Sequence, residues 1–185
     1  KTGVCGTIND LCMAGGIPTY LSCSLIIEEG FPIEDLKTIL YSMQQTAQTA
    51  GVSIVTGDTK VIERQKGNQI YINTSGIGIL QRKTSYQYQE NDVVVLSGSM
   101  GCHGASIFMA REDIHLQGEL LSDCACLKDK AMKAMAYNSL RILRDPTRGG
   151  VATTCMELIE KSDFGMELMN LYFLSIQMYK HFVTF

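Results

Sequence analysis

The segment from Pro32 to Gly51 limits what this chain can fold into more than any other. Its apolar residues stand at 33, 36, 39, 40, 43, 47 and 50, the spacing of one face of an α-helix. Pro32 suits a first turn, Glu34 and Asp35 suit the positive end of the helix dipole, and Gly51 suits the stop. Tyr20–Glu28 precedes the helix and Val52–Thr56 follows it, and both read as strands. A helix held between strands predicts layers of α on β.

The rest of the chain is consistent with that class. Thr7 can cap a short helix through Ile8, Leu11 and Cys12, stopped by Gly15, Gly16 and Pro18. After Val52–Thr56, the run Gly57-Asp58-Thr59-Lys60 reads as a turn junction, and Val61–Glu63 extends the chain. Lys66-Gly67-Asn68 turns it, and Ile70–Leu80 is a long strand. Gln81–Asp92 is polar and without periodicity, so the linker is placed at 82–92. Val93–Leu96 reads as a buried strand ending in a turn at 98–101, and His103–Arg111 and Lys128–Ala136 read as helices. Ser139–Leu143 reads as a strand or its approach, and Asp145–Gly150 as a sharp loop. A helix face then follows at Val151, Cys155, Leu158 and Ile159. The domains expected are 1–81 and 93–185, each α+β.

Of the 185 residues, 45% are apolar and 19% charged, enough apolar surface to exclude a disordered chain. A net charge of −3 offers no electrostatic footprint for nucleic acid or an anionic membrane. Runs such as Val93–Leu96 are far short of the ~20 residues of a membrane helix, and the first ten residues lack the apolar core of a signal peptide. Seven cysteines, none in zinc-type C-x₂-C spacing, read as free thiols of a reducing compartment. The expected location is cytoplasmic. Lys1 opens on a segment already under way and 171–185 carry little capping grammar, so both ends read as cut or altered.

Three places carry candidate chemistry. Asn9-Asp10 offers a carboxylate that can hold a divalent cation together with phosphate oxygens and water, or one that is satisfied by backbone N–H groups near a helix start. Gly57-Asp58-Thr59-Lys60 combines close backbone approach, a carboxylate, a hydroxyl and an ammonium, or is an ordinary strand-to-turn junction. Asp145-Pro146-Thr147-Arg148-Gly149-Gly150 sets a guanidinium and a glycine pair before a helix, suited to an anion, or is a capped loop with a surface arginine. His103, after Gly101-Cys102, is a weaker candidate, as is an activated Cys102 thiol.

The stretches CGTINDLCMAGGIPTYLSCSLIIEEGFP, AGVSIVTGDTKV, INTSGIG, LSGSMGCHGASI, LSDCACL and RDPTRGGVATT, in this order over roughly residues 3–165, resemble the HypE family of hydrogenase expression/formation proteins. Its superfamily includes aminoimidazole ribonucleotide synthetase, selenophosphate synthetase and thiamine monophosphate kinase. The resemblance implies a two-domain PurM-like α+β fold whose N-terminal sheets pair into a dimer barrel, with an incomplete C-terminal α/β sandwich. It implies ATP and Mg2+ as cofactors, with Asp10 and Asp58 as metal ligands and Lys60 near the reacting centre. Asn9, Gly57, Thr59, Asp145, Arg148, Gly149 and Gly150 would line the nucleotide cleft. The implied reaction is ATP-dependent dehydration of a protein S-carboxamide to a thiocyanate, the source of the iron cyanide ligands of [NiFe] hydrogenase. The implied partners are a second copy, the carbamoyltransferase HypF and the HypC–HypD scaffold. The family's Gly-Asp-His-Gly reads Gly101-Cys102-His103-Gly104, the pattern is lost from about Glu167, and none of the seven cysteines stands at the family's C-terminal acceptor position. Impaired carrier chemistry is therefore expected, the alternatives being an idle ATP-binding or dimerising fragment and a superfamily kinase or synthetase with another acceptor.

Overall fold

The computed structural model describes residues 1–99, 101–113, 120–147, 149–160, 162–169 and 175–179, the last strand and residues 167–169 by backbone alone. The chain divides into two compact units, Lys1–Lys83 with Ala125–Asn138, and Thr84–Cys124 with Ser139–Phe185. Residues 125–138 pack with the first unit.

In the first unit, α1 (Thr2–Met13) leads into β1 (Gly16–Glu28), α2 (Ile33–Thr49), β2 (Ser53–Ile62) and β3 (Ile70–Leu80). The sheet order is β2-β1-β3. β1 and β2 are parallel and joined through α2, while β3 returns antiparallel on the other side of β1. Parallel neighbours need such a crossover. Along β1, Leu21, Cys23, Leu25 and Ile27 are buried, and the alternate residues from Tyr20 to Ile26 are half-buried or exposed. This is the period-two pattern of a sheet covered on one face.

The covering layer is α1, α2 and α4 (Lys128–Met135). α1 has two glycines and no side-chain cap, so its own propensity is poor. Packing holds it: Val4, Cys5, Ile8 and Cys12 are fully buried. α2 forms where expected, with Pro32 as its cap and Glu34 and Asp35 in its first turn, but of its apolar face Met43 and Ala47 are buried while Ile33 and Leu40 are exposed.

Several expectations are corrected. Thr7 is no cap but lies inside α1, where its hydroxyl reaches Thr74 Oγ1 at 2.6 Å. β1 begins at Gly16 and carries Pro18 within it. β2 does not break at Gly57 but runs straight through Asp58, Thr59 and Lys60, because each pairs in register with β1.

The second unit holds β4 (Val93–Val94), α3 (Cys102–Arg111), α5 (Gly150–Ile159), β5 (Gly165–Met169) and β6 (Ser175–Tyr179). Its strands form an antiparallel sheet of order β4-β6-β5. The expected strand 93–96 is shorter and not buried, since Val93 and Val95 are exposed. Ser139–Leu143 form no strand. Arg141 instead spends its guanidinium on Asp92, at 3.2 Å, and on Gln89.

Candidate functional site

Alternation along three paired strands decides what faces where in the first unit. Thr74 meets Thr7 of α1, and a Cβ at Gly76 would strike Leu21, Leu11 and Thr7. Thr74 and Gly76, with their partners Cys23 and Leu21, therefore point at the helices. Their neighbours in sequence point the other way. That open face carries two consecutive polar rows: Thr56–Ser22–Ser75 and Asp58–Ser24–Asn73. The next row is Lys60–Ile26–Tyr71, and beyond the other end lie Tyr20 and Ile77. Tyr20, Ile26, Tyr71 and Ile77 are 45%, 42%, 45% and 66% exposed, so a polar block stands between uncovered apolar ends.

Asp58 accepts the Thr59 N–H on Oδ1 at 2.9 Å, which helps to fix the carboxylate. Lys60 lies two residues on, on the same face. A carboxylate, small hydroxyls, a carboxamide and an ammonium on one rigid sheet can bind a phosphate chain and its cation through hard oxygen ligands and charge-assisted hydrogen bonds. Thr59 pairs with Leu25 and so belongs to the helix side of β2. Gly57 has a packing reason, since a Cβ there would come 2.9 Å from the Cys23 carbonyl oxygen.

The other first-unit candidates are placed apart from this block. Asn9 is buried and its carboxamide is engaged at both ends: Nδ2 donates to the Ala125 carbonyl at 3.0 Å, and Oδ1 accepts the Leu127 N–H at 2.8 Å. It clamps 125–127 onto α1. Asp10 is exposed near the C-terminal end of α1, on the layer that covers the opposite face of the sheet from Asp58. Among the described residues no group of three or more His, Cys, Asp or Glu is arranged to hold a metal ion.

In the second unit Asp145 is buried, beside an Arg144 that pairs with Glu157 at 2.7 Å. Gly149 and Gly150 both take positive φ, +69° and +73°, at the start of α5, and a side chain on Gly149 would overlap Thr153. Arg148 lies outside the described residues. At the start of α3, Asp123 accepts the N–H groups of Cys102 and His103, each at 3.0 Å, and Ser122 Oγ meets His103 Nδ1 at 2.9 Å. The carboxylate thus occupies the helix end that an anion would use.

Sequence reasoning misses the cations that tie the first unit together. Lys128 donates to the Ala50 carbonyl at 2.7 Å, at the C-terminus of α2. Arg82 donates to the carbonyls of Met135, Tyr137 and Asn138, closing the end of α4. No local signal marks these contacts, since Lys128 opens α4 and Arg82 follows β3, 53 or more residues from the carbonyls they reach. Burial pushes the Cys12 thiol up to about 11, with Cys126 adding to the rise and Lys128 opposing it. Burial also raises Cys23 and Cys155.

Residues 1–80 match the AIR synthase related protein N-terminal domain, and residues 89–176 match the C-terminal domain of the same family. The chain belongs to the AIR synthase related family. Within it, the chain is 47% identical over 167 residues to the carbamoyl dehydratase HypE of Cupriavidus necator, covering 88% of this chain and 48% of that one. A crystal structure of hydrogenase maturation protein HypE in complex with ATP superposes with a TM-score of 0.85 at 40% identity, over 89% of this chain and 50% of the other. HypE in a HypE–HypF complex superposes at 0.83 and 44% identity, over 89% and 55%. The chain spans about half the length of the curated relatives it matches. The PurM-like α+β fold of this AIR synthase related chain is thereby established. Among the described residues no helix is long and apolar enough to cross a membrane.

Proposed function

We propose that this chain binds ATP with Mg2+ and forms the nucleotide-handling part of a HypE-type carbamoyl dehydratase. In this reading it serves the conversion of a protein S-carboxamide to a thiocyanate in [NiFe] hydrogenase maturation. The observation that carries the reading is the polar block on the open sheet face, with Asp58 and Lys60 in it, in a chain 40% identical to a HypE solved with ATP. Phosphoryl transfer asks a protein mainly for positioning and for charge opposite the phosphates. Asp58 holds the cation side of the nucleotide, and Lys60 supplies the ammonium. The oxygen donors around Asp58 fit a magnesium ion, which needs only one or two carboxylates and keeps water and phosphate for the rest. Asp10 stands on the helix layer and Asp58 on the open face of the sheet, so in this reading Asp58 is the main carboxylate on the ion and Asp10 approaches from the helix side. When bound, the ion neutralises phosphate charge.

A second copy of the chain covers the apolar ends of the same face, giving a homodimer. HypF is the expected carbamoyl donor, supported by the HypE–HypF complex of the 44% identical relative, and the HypC–HypD scaffold is the expected acceptor. The cytoplasm is the expected compartment.

Calorimetric titration with Mg-ATP tests the reading. Wild type is expected to bind with a Kd near micromolar, about −8 kcal/mol, and Asp58→Asn at least tenfold more weakly. Equal affinity in the two proteins, or no binding by wild type, refutes it.

A further inference from the structure

We infer that Ser24 and Asn73, the in-register neighbours of Asp58 on β1 and β3, are additional binding residues for the phosphate chain of a nucleoside triphosphate. The inference rests on the ATP reading above and deepens it by naming residues that the candidate motifs leave out.

The register places Asp58, Ser24 and Asn73 side by side across β2, β1 and β3. Strands lie about 4.8 Å apart, so the three side chains form one line about 10 Å long on a rigid floor. Ser24 and Asn73 are exposed, and neither side chain bonds to another described residue. Their donors and acceptors are therefore free for a ligand. Strand formation does not account for them: Asn is disfavoured within strands, while Ile26 and Tyr71, in the next row, are favoured. Packing against the apolar ends of a second copy would not account for them either, since an apolar cover leaves a carboxamide and a hydroxyl unsatisfied, which is costly. A polar ligand between the two apolar ends meets both demands.

The chemistry follows from the groups. The Asn73 carboxamide donates its N–H to a phosphate oxygen, and the Ser24 hydroxyl donates to the next, while Asp58 takes the cation. A hydrogen bond to an ionised phosphate is roughly twice as strong as a neutral one, so losing one shows clearly in affinity.

Calorimetric titration of wild type, Asn73→Ala, Asn73→Asp, Ser24→Ala and Asp58→Asn with Mg-ATP, and of the same proteins with AMP, tests this. Asn73→Ala is expected to weaken ATP about tenfold and Ser24→Ala a few-fold. Asn73→Asp should weaken ATP further, because a carboxylate repels phosphate. AMP, lacking the β- and γ-phosphates, should lose much less in all three, and unfolding midpoints should stay unchanged at these exposed positions. If Asp58→Asn loses ATP while the Asn73 and Ser24 variants bind like wild type, the inference is wrong and the ATP reading stands. Equal losses for ATP and AMP also overturn it. Failure of wild type to bind ATP overturns both.

Discussion

Asn9 offers the sharpest test of how the first unit is held together, because ligand binding and structural clamping predict opposite results for one substitution. In Asn9→Ala the Ala125 carbonyl and the Leu127 N–H lose their partners, at 3.0 and 2.8 Å. An orphaned, poorly hydrated backbone group costs about 1–3 kcal/mol. Both groups here are part-buried, so water recovers some of that, and about 1.5 kcal/mol each is the fitting figure. Alanine returns about 0.5 kcal/mol through its better helix propensity. The net expectation is a destabilisation of about 2–3 kcal/mol, read from urea unfolding of the wild type and the variant. Amide exchange should accelerate first in 125–138, since Asn9 ties that segment to α1. Asn9→Asp should cost at least as much: it keeps the acceptor for Leu127 but sets a buried carboxylate against the Ala125 carbonyl oxygen. Unchanged stability combined with lost Mg-ATP binding would refute the clamp and return Asn9 to the nucleotide site.

Two further outcomes follow from packing and burial. Gly57→Ala should destabilise by about 1–2 kcal/mol in the same unfolding assay, because a Cβ 2.9 Å from the Cys23 carbonyl oxygen forces the strands apart; a neutral or stabilising effect would place β2 further from β1. Cys12, pushed by burial from 9.0 to about 11, keeps its proton in the fold after the unfolded chain has lost it. Stability is therefore full below about pH 9 and falls through about pH 11, by roughly 3 kcal/mol at most. Cys12→Ala should flatten this decline relative to wild type, and parallel profiles would rule out the thiol as its source.

The sequence is most legible where the cause is local. The spacing of 33–50 gives α2, and the run Ile70–Leu80 gives β3 at both ends. It is least legible where a distant partner overrides local preference. Gly57-Asp58 has the composition of a turn, yet pairing with Cys23 and Ser24 keeps it extended. Thr7 has the chemistry of a cap, but its partner is 67 residues away. Asn9 has the chemistry of a ligand, but its partners are 116 and 118 residues away. The motif residues Asp58 and Lys60 are visible in the text. Ser24 and Asn73 stand inside stretches that carry the family resemblance, but only the register of β1 against both neighbours makes them a row with Asp58.

The same register bears on how the two carboxylates of the sequence motifs can cooperate. Cys23, Thr74 and Gly57 form the row that faces α1, and Asp58 follows Gly57, so its side chain leaves the sheet on the far side. Asp10 belongs to α1 itself. A cation held directly by both within one chain would have to lie around the edge of a three-stranded sheet. Asp58 needs no such partner if the phosphates bring the remaining oxygens, as magnesium commonly arranges. Exchanging Asp10 for Asn should then weaken Mg-ATP much less than exchanging Asp58. Equal losses would mean that the two carboxylates meet at one ion, and that the face of the sheet is not what separates them.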